Sequence, residues 1–332
     1  METDAADTCH YIPPMWRSTD PARTGREIEA IRELARRRNA IILAHNYQLP
    51  EVQEAADFVG DSLGLALQAR QTKAELIVFC GVHFMAESAR ILNPERTVLL
   101  PSLAAGCALA DSITPESLIE WKELYPGHTV VTYINSSAEV KAMSDICCTS
   151  ANAVAVVRSL PNRRILFTPD RNLGRWVAGQ VPEKEIVVYD GACPTHDVLR
   201  GVNVEKVRGE RPGAVVIAHP ECRADVLGMA DEICSTSGMI AAVERHPEAH
   251  TFIIATEWAL IHQLAKRFPG REFIPADGCI GCRLHCPYMK MIDLAGVRRS
   301  LEEDVFPIDV DPDDASAARV ALERMMAVPR DR

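Results

Sequence analysis

Ala40-Ile41-Ile42-Leu43-Ala44-His45-Asn46-Tyr47 decides the fold: five apolar residues run without alternation and stop abruptly at His45. A strand wetted on one face would alternate, so an unbroken run reads as a strand buried on both faces, the pattern of a parallel sheet between helices. Similar runs recur at residues 76–79, 97–100, 130–133, 164–167, 186–189, 215–218, 252–254 and 273–274. Ile28, Ile31 and Leu34 keep helical spacing within 25–38, and helical stretches over 52–71 and 256–267 separate later runs. Strand alternating with helix predicts an α/β protein whose short parallel sheets carry helices on both faces.

The runs fall into three sets with matching punctuation. Lead strands end at His45, Tyr133 and His219, spaced 88 and then 86 residues apart. Seventeen residues beyond each stands a hydroxyl: Ser62, Ser150 and Thr236. Each set closes on a glycine and a cysteine, with Cys107, Cys193 and Cys279 at intervals of 86 and Cys286 just beyond. Three markers in register predict three copies of one αβα unit. Ligands of open α/β sheets sit beyond the carboxyl ends of the strands. Three units related by a pseudo-threefold axis would therefore face one central cavity. The expected boundaries are 25–115 joined by a C-terminal return of 287–332, then 116–200, then 201–286. Residues 1–24, with Pro13, Pro14 and Pro21 and no apolar period, read as a loose N-terminal arm. Past Cys286 the pattern predicts a helix over 289–301, an acidic turn at 309–314 and a terminal helix over 315–328. Val320, Leu322, Met325 and Met326 of that last helix read as packing residues.

The 332 residues carry a net charge of -10, which argues against a nucleic-acid surface, because phosphate neutralisation needs locally dominant Lys and Arg. No apolar run approaches the roughly 18 residues of a membrane helix. A cytoplasmic enzyme or binding protein is the expectation.

Chemistry concentrates in Gly278-Cys279-Ile280-Gly281-Cys282-Arg283-Leu284-His285-Cys286-Pro287, which holds three of the eleven cysteines. Such density points to metal, with structural zinc, an iron-sulfur cluster and a redox pair as the alternatives. One thiol per unit supplies three ligands. Three thiolates on a [4Fe-4S] cluster leave one iron open as a Lewis acid for loss of water. Zinc with three thiolates and a water also satisfies the count. Ser62, Ser150 and Thr236, at helix starts, can converge on anionic oxygens or simply cap their helices. His45, Tyr133, Asn135 and His219 add donors at strand ends, and Tyr47 and Glu221 are the acid/base candidates.

Several segments together resemble the quinolinate synthase family: Leu43-Ala44-His45-Asn46-Tyr47-Gln48, Ala56-Asp57-Phe58-Val59-Gly60-Asp61-Ser62, Tyr133-Ile134-Asn135-Ser136, Cys148-Thr149-Ser150-Ala151-Asn152-Ala153, Cys193-Pro194-Thr195-His196, His219-Pro220-Glu221-Cys222, Ser235-Thr236-Ser237-Gly238-Met239 and Cys286-Pro287-Tyr288-Met289-Lys290-Met291. The resemblance implies a transferase of NAD biosynthesis that condenses iminosuccinate with dihydroxyacetone phosphate to quinolinate, phosphate and two waters. It also implies a functional link to an aspartate-oxidising enzyme that supplies the imine. It implies one [4Fe-4S] cluster per chain on Cys107, Cys193 and Cys286, whereas the 86-residue register alone points to Cys279. By the same matching, His45, Ser62, Tyr133, Asn135, Ser150, His219, Glu221 and Thr236 bind substrate, and Tyr47, Glu221 and His219 are catalytic. The spacing C-x2-C-x3-C departs from the C-x2-C-x2-C of some relatives, and Cys279 with Cys282 reads as a reversible disulfide pair. A non-enzymatic metal carrier and a redox-sensing interaction protein are the rival classes.

Overall fold

The computed structural model describes residues 20–278 and 284–331; Cys279 and Cys282, with the redox reading placed on them, lie outside the described residues. Twelve strands form three four-stranded sheets among the described residues. The first unit holds β1 (Ala40–His45), β2 (Phe58–Gly60), β3 (Leu76–Cys80) and β4 (Thr97–Leu99) in the order β2-β1-β3-β4. The second holds β5 (Thr129–Tyr133), β6 (Ile146–Cys148), β7 (Arg164–Thr168) and β8 (Glu185–Val188) in the order β6-β5-β7-β8. The third holds β9 (Val215–Ala218), β10 (Glu232–Ile233), β11 (Thr251–Ala255) and β12 (Glu272–Pro275) in the order β10-β9-β11-β12. Every ladder is parallel. The protein is thus an α/β fold of three repeated αβα units.

Continuous apolar strands follow from this layering. Ile42, Leu43, Ile77, Val78, Ile165, Leu166, Val216, Ile253 and Ile254 are fully buried, each worth roughly 1.5–3 kcal/mol of transfer free energy. A repeat marker hidden in the sequence appears here. Asp57, Asp145 and Asp231 each accept a hydrogen bond from the lead strand of their own unit, from Ile42 N (2.7 Å), Val130 N (2.8 Å) and Val216 N (2.8 Å). Fifteen residues separate donor and acceptor in each case.

The structure corrects several expected elements. The stretch 52–71 is not one helix: Pro50–Ala55 and Ser62–Gln71 flank β2, which pairs with β1 through Leu43 and Phe58. The helix expected over 256–267 begins only at Leu260, because Thr256 and Glu257 turn inward and are fully buried. Residues 21–24 of the expected arm are helical: Pro21 starts Pro21–Arg37, whose cap Asp20 accepts from Arg23 N at 2.9 Å. The helix expected over 289–301 is a short turn, Met289–Met291, followed by Leu294–Glu303, which Asp293 caps. The terminal helix is Pro312–Met326, its start fixed by Asp311 within the acidic turn. Leu322 and Met325 are buried as expected, but Val320 is half exposed.

The C-terminal return spans two units. Leu294–Glu303 packs on Pro21–Arg37, and Pro312–Met326 packs on the Ala138–Ala142 helix and β6 of the second unit as well as on His83–Leu92 of the first. Among the described residues no helix is long and apolar enough to cross a membrane.

Candidate active site

The carboxyl ends of the strands in all three units converge on one cavity. Its volume is about 60 Å³. All twelve residues nominated from the sequence line it. The first unit contributes His45, Tyr47, Ser62 and Cys107; the second Tyr133, Asn135, Ser150 and Cys193; the third His219, Glu221 and Thr236, with Cys286 just after.

His45 and His219 are set by the same local device. Each ring accepts, at Nδ1, the backbone N–H two residues on: Tyr47 N at 3.2 Å and Glu221 N at 3.3 Å. A neutral ring that accepts at Nδ1 carries its proton at Nε2, where it can donate. His219 Nε2 lies 3.1 Å from Ser150 Oγ. Burial lowers the pKa of His45 to about 4 and that of His219 to about 3, so both rings are neutral at pH 7. Burial opposes ionising Glu221 as well. The imidazoles of His196 and His219 outweigh it and hold the carboxyl well below the usual carboxylate range. Glu221 Oε1 and Asn135 Oδ1 are buried without a hydrogen-bond partner, which is the signature of groups set to receive a ligand.

Ser62 and Thr236 are the first residues of their helices, yet neither is the cap. Asp61 accepts from Gly64 N at 2.8 Å and Ser235 from Gly238 N at 3.2 Å, which frees the Ser62 hydroxyl from capping. Thr236 Oγ1 accepts from Asn46 Nδ2 at 2.8 Å. Ser150 differs, standing three residues before the Ala153–Ser159 helix rather than at its start.

Cys107, Cys193 and Cys286 are free thiols. Burial raises all three, Cys107 to about 12, and in Cys107 and Cys193 the neighbouring thiols push the same way. The backbone N–H of Cys193 is held by the buried Asp170 carboxylate at 3.0 Å. Ligand atoms of Cys193, His196 and Glu221 also lie within 4.8 Å of one another, close enough to share a single ion.

The family model described as quinolinate synthetase A protein matches residues 29–327. The chain belongs to the quinolinate synthetase A family. It is 51% identical over 303 residues to the quinolinate synthase of Geobacter metallireducens, covering 91% of this chain and 98% of that protein. It is 50% identical over 301 residues to the quinolinate synthase of Geotalea uraniireducens, covering 91% and 97%. With quinolinate synthase 2 of Mesorhizobium japonicum it shares 47% over 319 residues, covering 96% and 94%.

Within this member of the family, three further side chains beside the cavity residues escaped sequence reasoning: His196, Thr256 and Glu257. Tyr47 Oη lies 2.5 Å from Thr256 Oγ1, which lies 2.8 Å from His196 Nε2, and His196 Nδ1 lies 2.7 Å from Glu221 Oε2. Tyr47, His196 and Thr256 come from the first, second and third units respectively. Burial, and then the charge of Glu221, raises the Tyr47 hydroxyl well above its ordinary value, so it is protonated at rest. The third is Glu257, buried against Lys290 at 2.8 Å. Its Oε1 also accepts from Cys286 N at 3.4 Å, and Lys290 Nζ donates to Tyr47 O. His196 follows Cys193 in the quoted Cys193-Pro194-Thr195-His196 motif, and its position three residues past a candidate thiol was the available signal.

Proposed function

We propose that this chain condenses iminosuccinate with dihydroxyacetone phosphate to form quinolinate, phosphate and two waters, as a transferase on the route to NAD. The observation that carries the reading is the meeting of three thiols from three units with three histidines, two tyrosines and two carboxylates in one cavity. Family membership supports the same product.

The donor set fits a [4Fe-4S] cluster. Cys107, Cys193 and Cys286 are half-buried and free of disulfides, the neighbouring thiols raise the pKa of Cys107 and Cys193, and the unpartnered Glu221 Oε1 shares their cavity. When bound, a cluster held by three thiolates supplies one iron without a protein ligand, a Lewis acid that assists departure of hydroxide. The rest falls to the chain. Neutral His45 and His219 donate from Nε2 to substrate oxygens, and the hydroxyls of Ser62, Ser150 and Thr236 add donors on the same wall. The Asn135 amide orients the substrate. Tyr47 Oη gives or takes a proton at the reacting carbons, Thr256 Oγ1 passes it to His196 Nε2, and Glu221 steadies the imidazolium that results. Condensation, loss of phosphate and dehydration are redox-neutral, so proton movement and leaving-group stabilisation suffice. A reducing, cytoplasmic setting and an aspartate-oxidising enzyme as imine source belong to the same proposal.

The test is conversion of freshly made iminosuccinate and dihydroxyacetone phosphate by chain purified without oxygen. Quinolinate and phosphate in equal amounts are expected; phosphate without quinolinate contradicts the reading. A second reading, a mononuclear zinc protein, rests on the proximity of Cys193, His196 and Glu221. It predicts a colourless protein with one zinc per chain.

A further inference from the structure

The residues past the family match at 327 include Arg330 and Asp331, which take a defined place behind the cavity wall. Arg330 makes a fork to Asp61, with Nη1 to Oδ2 at 2.5 Å and Nη2 to Oδ1 at 2.9 Å. Asp61 lines the cavity next to Ser62 and is buried, whereas the Arg330 side chain is 41% exposed and reaches in from outside. The tail is pinned beside it. Asp331 accepts from Ala155 N at 2.7 Å and Val154 N at 3.2 Å, and its own N–H donates to Ala151 O at 2.7 Å.

We propose that Arg330 is a positioning residue for the substrate pocket: it neutralises the Asp61 carboxylate and holds it in place, so that the cavity accepts a dianion. The inference rests on the reading that this cavity binds quinolinate and its precursors through Ser62 and its neighbours. Asp61 carries a full negative charge into a pocket where His45 and His219 are neutral, and a dicarboxylate must enter beside it. Burial alone would push the Asp61 carboxyl up, but the Arg330 guanidinium outweighs it and holds the group ionised below its ordinary value. Without that cation, a bare carboxylate faces the incoming anion at short range in a poorly solvated site, where like charges repel strongly. The fork also fixes the side chain that caps the helix starting at Ser62, so one contact serves charge and geometry together.

Quinolinate binding to the oxygen-free holoenzyme, followed by calorimetry, separates the outcomes. Arg330→Ala is expected to raise the Kd about tenfold or more, with iron content unchanged. Arg330→Lys, which keeps the charge but loses the fork, recovers part of the loss. The double variant Arg330→Ala, Asp61→Asn recovers affinity to within about threefold of wild type, because Asn caps a helix as well as Asp but carries no charge. Asp61→Asn alone, which is independent of whether the Arg330→Ala protein folds, binds at least as tightly as wild type. Unchanged affinity in Arg330→Ala overturns the proposal, as does a loss that the second substitution leaves uncorrected or a tenfold weakening in Asp61→Asn alone. Ser62→Ala distinguishes the two levels. If it weakens quinolinate while Arg330→Ala does not, the inference alone fails; if it changes nothing, the underlying assignment of the pocket fails with it.

Discussion

The first and third units close the helix after their second strand with their own side chains, whereas the second unit takes its cap from the end of the chain. Asp61 and Ser235 cap Ser62–Gln71 and Thr236–Arg245 from within. At the corresponding place Asn152 turns its side chain elsewhere, Oδ1 accepting from Thr149 N at 2.9 Å and Nδ2 donating to Met325 O at 3.1 Å. Asp331 supplies the missing acceptor for Ala153–Ser159. Triplication therefore places the cavity wall, and the unrepeated C-terminal return completes the copy that drifted. The same divergence shows at the two positions after each lead strand. His45, Tyr133 and His219 are equivalent, as are Tyr47, Asn135 and Glu221, yet only the outer units keep the ring that accepts the backbone N–H two residues on. Equivalent position thus does not mean equivalent role.

The largest expected effect breaks that last comparison. Tyr47→Phe removes the hydroxyl that starts the proposed relay and should lower kcat by about 10²- to 10⁴-fold with quinolinate affinity retained. Asn135→Ala, at the equivalent position, should instead weaken binding with a much smaller change in kcat. Steady-state kinetics that showed the reverse split would remove the assigned division of labour. Next in size is the link between the third unit and the first. Lys290→Met leaves Glu257 as an unpaired buried charge among Cys286 N, Ala259 N and Trp258. A loss of about 3 kcal/mol or more in unfolding free energy is expected from denaturant titration, and a change within experimental scatter would mean the pair holds nothing together. Smallest are the caps. Asp331→Ala and Ser235→Ala should each cost about 1 kcal/mol, because each uncovers the N-terminus of an equivalent helix. A null result for Asp331→Ala beside a clear cost for Ser235→Ala would deny that the tail serves as the second unit's cap.

Most of the fold was legible because its central strands are buried on both faces and so print as unbroken apolar runs. The short second strands were not. Phe58–Gly60, Ile146–Cys148 and Glu232–Ile233 have two or three residues each at a sheet edge, too few for any period to emerge. Their shared marker, an Asp fifteen residues past its partner in the lead strand, was present at 57, 145 and 231 but looks like any loop acid. The nominated residues that line the cavity mostly recur in register, Cys286 being the exception. Thr256, Glu257 and Lys290 have no counterpart in the repeat and come together only through tertiary packing: Thr256 with His196, 60 residues away, and Lys290 with Tyr47, 243 away. Asp61 stood inside the quoted Gly60-Asp61-Ser62 segment, yet its partner lies 269 residues on, beyond any local signal.

The central claim is that three units each bring one sulfur to a common inorganic core. Its most direct measurement is iron and acid-labile sulfide per chain, with absorbance at about 400 nm, in oxygen-free preparations of wild type, Cys107→Ala, Cys193→Ala, Cys286→Ala and Cys222→Ala. Cys222 is the control, since it is buried in a separate apolar cluster of the third unit with its thiol on Ala255 O at 3.3 Å. About four irons are predicted in wild type and Cys222→Ala, with the cluster lost in each of the other three. A full complement of iron retained in any one of Cys107→Ala, Cys193→Ala or Cys286→Ala contradicts the account.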